Sequence, residues 1–207
     1  LPFFAGLVVL ALITVQSFPH WVLALSLTEN IGLALLVAGL LASIIVGVFS
    51  NRLAGLFVGL LCLCLASGGL LLSQPSGHIM LVTLAAIIAA CDIAAYFVGR
   101  RLGGTKLWPR VSPNKTISGS IGGLVAAMAV TFLAASIFGI DDYWEALIMG
   151  LLIGGLSQAG DLMESAVKRQ LDVKDSGSIL PGHGGMLDRF DGYIFVVPAV
   201  YLYIFGF

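Results

Sequence analysis

From Leu1 to Cys91 the chain carries only two charged side chains, Glu29 and Arg52. A domain that folds in water has about 25% charged residues, whereas this stretch would present its surroundings with little but hydrocarbon. The whole chain of 207 residues behaves similarly: 10% are charged, 59% are hydrophobic and the mean hydropathy is +1.06. The expected fold is therefore an all-α integral membrane protein, a polytopic helical bundle. Its 10 basic and 11 acidic side chains leave a net charge of −1, without the basic footprint of a nucleic-acid binder.

A helix needs roughly 20 apolar residues to cross a bilayer, and the uncharged runs allow about seven such spans. They fall at 2–18, 31–49, 54–72, 79–98, 118–138, 144–167 and 190–207, the first interrupted by Pro19, His20 and Trp21. Nearly all the charge lies beyond residue 91, so residues 1–90 read as a transmembrane scaffold and 91–207 as the region that carries any polar chemistry. Lys and Arg favour the cytoplasmic side of short loops. The loop 99–116 holds Arg100, Arg101, Lys106, Arg110 and Lys115 with no acid, and the loop 168–189, two spans on, holds Lys168, Arg169, Lys174 and Arg189. With Arg52 two spans earlier, parity puts all three on one cytoplasmic face and the connection 73–78, which has no full charge, on the other.

The spans are also suited to close packing. Gly55 and Gly59, Gly119 and Gly123, and Gly150 and Gly154 are small residues four apart, which lets helix backbones approach. Among 26 glycines such pairs favour packing within the chain over the seam of a homodimer. Cys62, Cys64 and Cys91 lie in apolar runs and read as small buried hydrophobes. The chain begins inside an apolar run, without Met and without the basic region of a secretory signal, which leaves room for a segment upstream.

The stretch Asp161 to Asp191 is unlike a passive span. On a helix Asp161, Glu164, Ser165, Lys168 and Asp172 fall within one arc, a stripe both acidic and basic. A turn-rich segment with Gly177, Pro181, Gly182, Gly184 and Gly185 follows, and then Asp188 and Asp191 enter the last span. Carboxylates flanking a basic, glycine-rich loop suit a magnesium–nucleotide site. Mg²⁺ takes carboxylate and phosphate oxygens, Lys and Arg match polyphosphate charge, and glycines admit backbone N–H groups to phosphate. A solvated interfacial loop with ordinary ion pairs would explain the charges alone. Asp161 favours the site, because the apolar run Leu147 to Leu156 sets it at the membrane boundary, where an ionisable group is a functional candidate.

A second cluster points the same way. Asp92 lies in a span eight residues before Arg100, about 12 Å along a helix, with Tyr96 one turn on. Ser112, Asn114, Lys115, Thr116 and Ser118 then precede an apolar helix. A helix start with exposed N–H groups beside a Lys is a ready anion site, although N-capping also explains Thr116 or Ser118.

Ser165-Ala166-Val167-Lys168-Arg169, Lys174-Asp175-Ser176-Gly177 and Leu180-Pro181-Gly182-His183-Gly184-Gly185-Met186-Leu187-Asp188-Arg189-Phe190-Asp191 together resemble the signature of the phosphatidate cytidylyltransferase, or CDP-diacylglycerol synthase, family. Ser112-Pro113-Asn114-Lys115-Thr116 and the intramembrane Asp92 also look like family features, so the resemblance covers about residues 91–207. Two features depart from it: Ser118 stands where many members carry an acid or amide, and the chain is shorter than typical bacterial members, which implies a missing N-terminal span.

The resemblance implies that CTP and phosphatidic acid give CDP-diacylglycerol and pyrophosphate with Mg²⁺, and suggests a monovalent cation such as K⁺. It implies Asp161 and Asp188 as metal ligands, supported by Asp92, Glu164 and Asp191. Lys115, Lys168, Arg169, Lys174 and Arg189 would hold phosphates, with Asp161, Asp188, Lys168 and Arg189 the catalytic set. Ser112, Asn114, Thr116, Ser165, His183, Gly184 and Gly185 would join in binding substrate, His183 through phosphate or loop structure rather than as acid or base. The implied place is the bacterial inner membrane, among its lipids. The rival readings are a CTP-dependent polyprenol or dolichol kinase, which would need a base to activate its alcohol, and a membrane transporter or lipid-binding protein. A CDP-alcohol phosphotransferase lacks support, since its paired aspartate motif is absent.

Overall fold

The computed structural model describes residues 39, 41–48, 52–173 and 190–205. Residues 41–48 are helical, and beyond them the elements are α1 (Arg52–Leu72), α2 (Gly77–Leu102), β1 (Lys106–Trp108), β2 (Ser112–Thr116), α3 (Ile117–Phe138), α4 (Tyr143–Gln170) and α5 (Tyr193–Phe205). Helices α1 to α4 are each long and apolar enough to cross a membrane, and they match the spans expected at 54–72, 79–98, 118–138 and 144–167. The seven-span count is not reproduced, because four such helices occur among the described residues. The expected span 2–18 and most of 31–49 lie outside those residues. Within the run 190–207 the described helix is Tyr193–Phe205, 13 residues with Pro198 inside it, about 20 Å long. It starts late because residues 190–192 form a turn, in which the Tyr193 N–H donates to the Phe190 carbonyl at 3.0 Å.

The described residues fall into two compact units, one within Leu1–His78 and Val197–Phe207, the other Ile79–Val196. In the first, residues 41–48 meet α1 closely. A Cβ on Gly55 would stand 2.5 Å from the Gly47 Cα, one on Gly59 2.7 Å from the Ser43 Oγ, and the Ser43 hydroxyl donates to the Gly55 carbonyl at 2.7 Å. In the second, α3 and α4 pack through Gly150 and Gly154, whose added Cβ atoms would lie 2.7 Å from the Met128 Cα and 2.9 Å from the Ala127 Cβ. Gly123 meets the Cys91 carbonyl of α2 in the same way, at 2.9 Å. All three glycine pairs thus serve helix contacts within the chain. Cys91, Ala127, Ile153 and Ile194 are buried, while Ile93, Ile121, Val125 and Leu152 face outward, so apolar side chains stand on both the packed and the outward faces of the helices.

The helix ends explain where the spans stop. The Thr116 hydroxyl accepts from the Gly119 N–H at 3.1 Å and caps α3, and Asp142 caps α4 by accepting from Glu145. Helix α4 closes with Asp172 left-handed at φ 54, the Val173 N–H reaching the Lys168 carbonyl at 3.0 Å and the Asp172 N–H the Arg169 carbonyl at 3.4 Å, a Schellman ending. This corrects the stripe drawn from periodicity: Asp172 lies past the helix and leaves the arc of Asp161, Glu164, Ser165 and Lys168.

The loop 99–116 is not irregular. Gly103 and Gly104, at φ 60 and φ 100, turn the chain out of α2 into an antiparallel hairpin pairing Lys106 with Thr116 and Trp108 with Ser112, the register shifting between. The Val111 N–H closes its tip on the Trp108 carbonyl at 3.1 Å, with Pro109 where a β-turn prefers proline.

Candidate active site

Lys115, near the end of β2, reaches α4 and pairs with the Asp161 carboxylate. The approach is possible because β2 runs straight into the capped start of α3, which crosses α2 where neither helix has a side chain. A Cβ on Gly119 would stand 2.5 Å from the Ala95 carbonyl oxygen and 3.1 Å from the Gly99 Cα. Ser118 reinforces the junction by donating its hydroxyl to the Gly103 carbonyl, which gives this departure from the family pattern a structural task. Beside Asp161, Gly160 lets the chain around Asp191 close in, since a Cβ there would collide with the Asp191 carbonyl oxygen.

These contacts gather Asp92 of α2, Lys115 of β2, Asp161 of α4 and Asp191 of the turn before α5 on one cavity of about 640 Å³, within the usual range for small-molecule sites. Asn114 and Thr116 line it too, so six of the residues singled out from sequence come together. Ser112, Glu164, Ser165, Lys168 and Arg169 do not line it. Glu164 is buried, 2% exposed, with the Lys168 Nζ at 3.4 Å, and the Arg169 Nε reaches the Val111 carbonyl at 3.5 Å. Lys174, His183, Gly184, Gly185, Asp188 and Arg189 lie outside the described residues.

The wall also holds residues that sequence reasoning missed or used otherwise. Gln158 and Ser120 bond side chain to side chain, and the Gln158 amide also donates to the Ser120 carbonyl at 3.0 Å and to the Cys91 Sγ at 3.5 Å, so one residue links α2, α3 and α4 beside Asp92 and Asp161. Arg100 and Lys106, read only as markers of topology, line the cavity with Tyr96. The Arg100 Nη1 donates to the Tyr96 hydroxyl at 2.8 Å.

Asp92, Asp161 and Asp191 share Lys115 as the cation that bears on all three, with Arg100 and Lys106 elsewhere on the same cavity, so carboxylate oxygens outnumber the cation they share. Burial, and after it the Asp161 carboxylate, raise the Asp191 carboxyl above its ordinary pKa. A side-chain bond with Glu164 and, after it, the bond from the Gly192 N–H, 2.7 Å, act the other way. Such an excess of hard oxygen donors suits a divalent cation. Among the described residues no three His, Cys, Asp or Glu side chains are grouped to enclose one. The donor set therefore fits an ion that takes one or two carboxylates and fills its shell with water and phosphate, the habit of Mg²⁺.

The profile of the Cytidylyltransferase family matches residues 1–207. A phosphatidate cytidylyltransferase of Brucella suis is 53% identical over 133 residues, covering 64% of this chain and 48% of that protein. Those of Bacillus subtilis and Staphylococcus aureus are 49% identical over 116 residues (56% of this chain, 43% of that protein) and 47% over 117 (55% and 44%). The chain spans about half the length of the curated relatives it matches.

Proposed function

The chain belongs to the cytidylyltransferase family, and from that premise we propose that its cavity transfers the cytidylyl group of CTP to phosphatidic acid, giving CDP-diacylglycerol and pyrophosphate. The observation that carries the reading is the convergence of three carboxylates and Lys115 on one cavity whose further wall is basic, with Arg100 and Lys106.

The nucleophile is a phosphate oxygen of the lipid, already anionic near neutral pH, so no side chain has to remove a proton from it. It attacks the α-phosphorus of CTP, and the bond from that phosphorus to the bridging oxygen breaks as pyrophosphate leaves. The barrier is the meeting of anions, which positioning and charge neutralisation lower. Mg²⁺, when bound, neutralises charge on the phosphates and their leaving oxygen. Asp161 would hold it with Asp188 of the 168–189 loop, and Asp92 and Asp191 would support it through its waters. Lys115 exchanges its Asp161 partner for a phosphate oxygen, while Arg100 and Lys106 receive the far phosphates and Asn114 and Thr116 orient them. In this reading the loops 99–116 and 168–189 face the bacterial cytoplasm, and the lipid arrives from the bilayer.

Protein in nanodiscs given phosphatidic acid, Mg²⁺ and CTP labelled at the α- or the γ-phosphorus tests the reaction. The α-label should enter the lipid and the γ-label should leave in pyrophosphate. Label from the γ position in the lipid, with release of CDP, would make the chain a lipid kinase instead.

A further inference from the structure

The hairpin β1–β2 carries more positive charge than the cavity uses. Arg100 and Lys106 line the cavity, but Arg101 and Arg110 do not, and both are exposed. Around them stand exposed apolar side chains: Trp108 is 51% exposed and Leu102 72%. No acid occurs between residues 99 and 116. Cations beside an exposed indole are the composition of a membrane interface, where Trp settles at headgroup depth and Lys and Arg meet anionic lipid.

The geometry fixes the hairpin's level. One end is held at Asp161 by Lys115 and the tip is held at Arg169, whose Nε reaches the Val111 carbonyl at 3.5 Å. From Asp161 to Arg169 is eight helical residues, about 12 Å; from Lys115 to Val111 is four extended ones, about 13 Å. The hairpin therefore runs alongside the last two turns of α4. On α2, Cys91 meets the Gln158 amide of α4 at 3.5 Å; Arg100, in the turn where it and Arg101 end the apolar helix, is nine helical residues beyond Cys91, about 14 Å, and Arg169 is eleven beyond Gln158, about 17 Å. The tip residues Trp108 and Arg110 and the helix end at Arg101 thus share the plane where α2 leaves the hydrocarbon.

We infer that this tip docks on the anionic headgroup surface of the bilayer that its own helices cross, with Trp108 seated among the headgroups and Arg101 and Arg110 contacting lipid phosphates. The docking requires nothing of the catalytic reading and is measurable without turnover. In a Trp21→Phe/Trp144→Phe background Trp108 is the one tryptophan left. Nanodiscs of phosphatidylcholine, with or without anionic phosphatidylglycerol, are prepared with lipid brominated near the headgroup, and quenching of Trp108 emission is read. Quenching should be roughly twofold stronger with the anionic lipid and should fall to the zwitterionic level in about 0.5 M salt, where the Debye length is only a few ångströms. Arg101→Gln/Arg110→Gln should remove the difference and Arg101→Lys/Arg110→Lys should keep it. Equal quenching in both lipids, no quenching in either, or a difference that survives the Gln variant would overturn the inference.

Discussion

Gln158 engages three helices with one amide. A polar side chain in an apolar helix must find partners inside the protein, and this one finds Ser120 twice and Cys91 once, one turn before Asp161 and next to the residue preceding Asp92. Because these bonds tie α4 to α2 and α3 beside Asp92 and Asp161, the residue is expected to set the separation of the two carboxylates. Gln158→Leu keeps most of the volume and removes every bond, so it should cost about 1–2 kcal/mol of stability in the membrane. Turnover should fall about tenfold, because small displacements of reacting groups are expensive. Parallel thermal melts and initial rates would check both. A Leu variant as active as wild type would leave Gln158 without that role. The signal was present in sequence, since Ser157 and Gln158 are the polar residues in the run from Ala146 to Gly160, but an amide carries no charge and did not stand out as Asp92 and Asp161 did.

At the scale of elements, α1 to α4 were legible because each is an uncharged run of spanning length, and hydropathy reports that directly. The hairpin was not, because Lys106-Leu107-Trp108 and Ser112-Pro113-Asn114-Lys115-Thr116 show no apolar alternation; it forms from the turns at Gly103, Gly104 and Pro109 and from its lean against α4. Periodicity likewise could not mark the end of α4 at Gln170, which depends on a backbone turn that Asp172 tolerates. Asp92 and Asp161 were found as charges misplaced in apolar surroundings, Lys115 as a cation beside a helix start and Asp191 as a carboxylate entering the last span, whereas Arg100 and Lys106 looked like orientation signals alone, since nothing local shows that Arg100 ends α2 on the cavity or that the glycine turn after it folds Lys106 back over it. The shared-face argument makes a prediction of its own. In a chain with Cys62→Ala, Cys64→Ala and Cys91→Ala, single cysteines Thr105→Cys and Ser178→Cys should react with an impermeant thiol reagent from the cytoplasmic side, and Ser76→Cys from the opposite side. Thr105 serves better than Gly104, whose φ of 100 resists any L side chain. Labelling of 105 and 178 from opposite faces would separate the two loops that the proposed site needs together.

Across the molecule, the site belongs to no single element: Asp92 comes from α2, Lys115 from β2, Asp161 from α4 and Asp191 from the turn before α5, and the crossing at Gly99 and Gly119 brings α2, α3 and the hairpin within reach of one another. The central claim is that these separated carboxylates act as one centre for moving cytidylyl. Its most direct test is the rate of α-phosphate transfer from CTP into phosphatidic acid with Mg²⁺, measured in nanodiscs for wild type and for Asp92→Asn, Asp161→Asn and Asp191→Asn, each shown to be folded by its melt. Each substitution keeps the shape and removes a charge that a divalent ion and its phosphates need, so each rate should fall about a hundredfold or more. A folded Asp161→Asn protein that transfers the label at the wild-type rate would contradict the account.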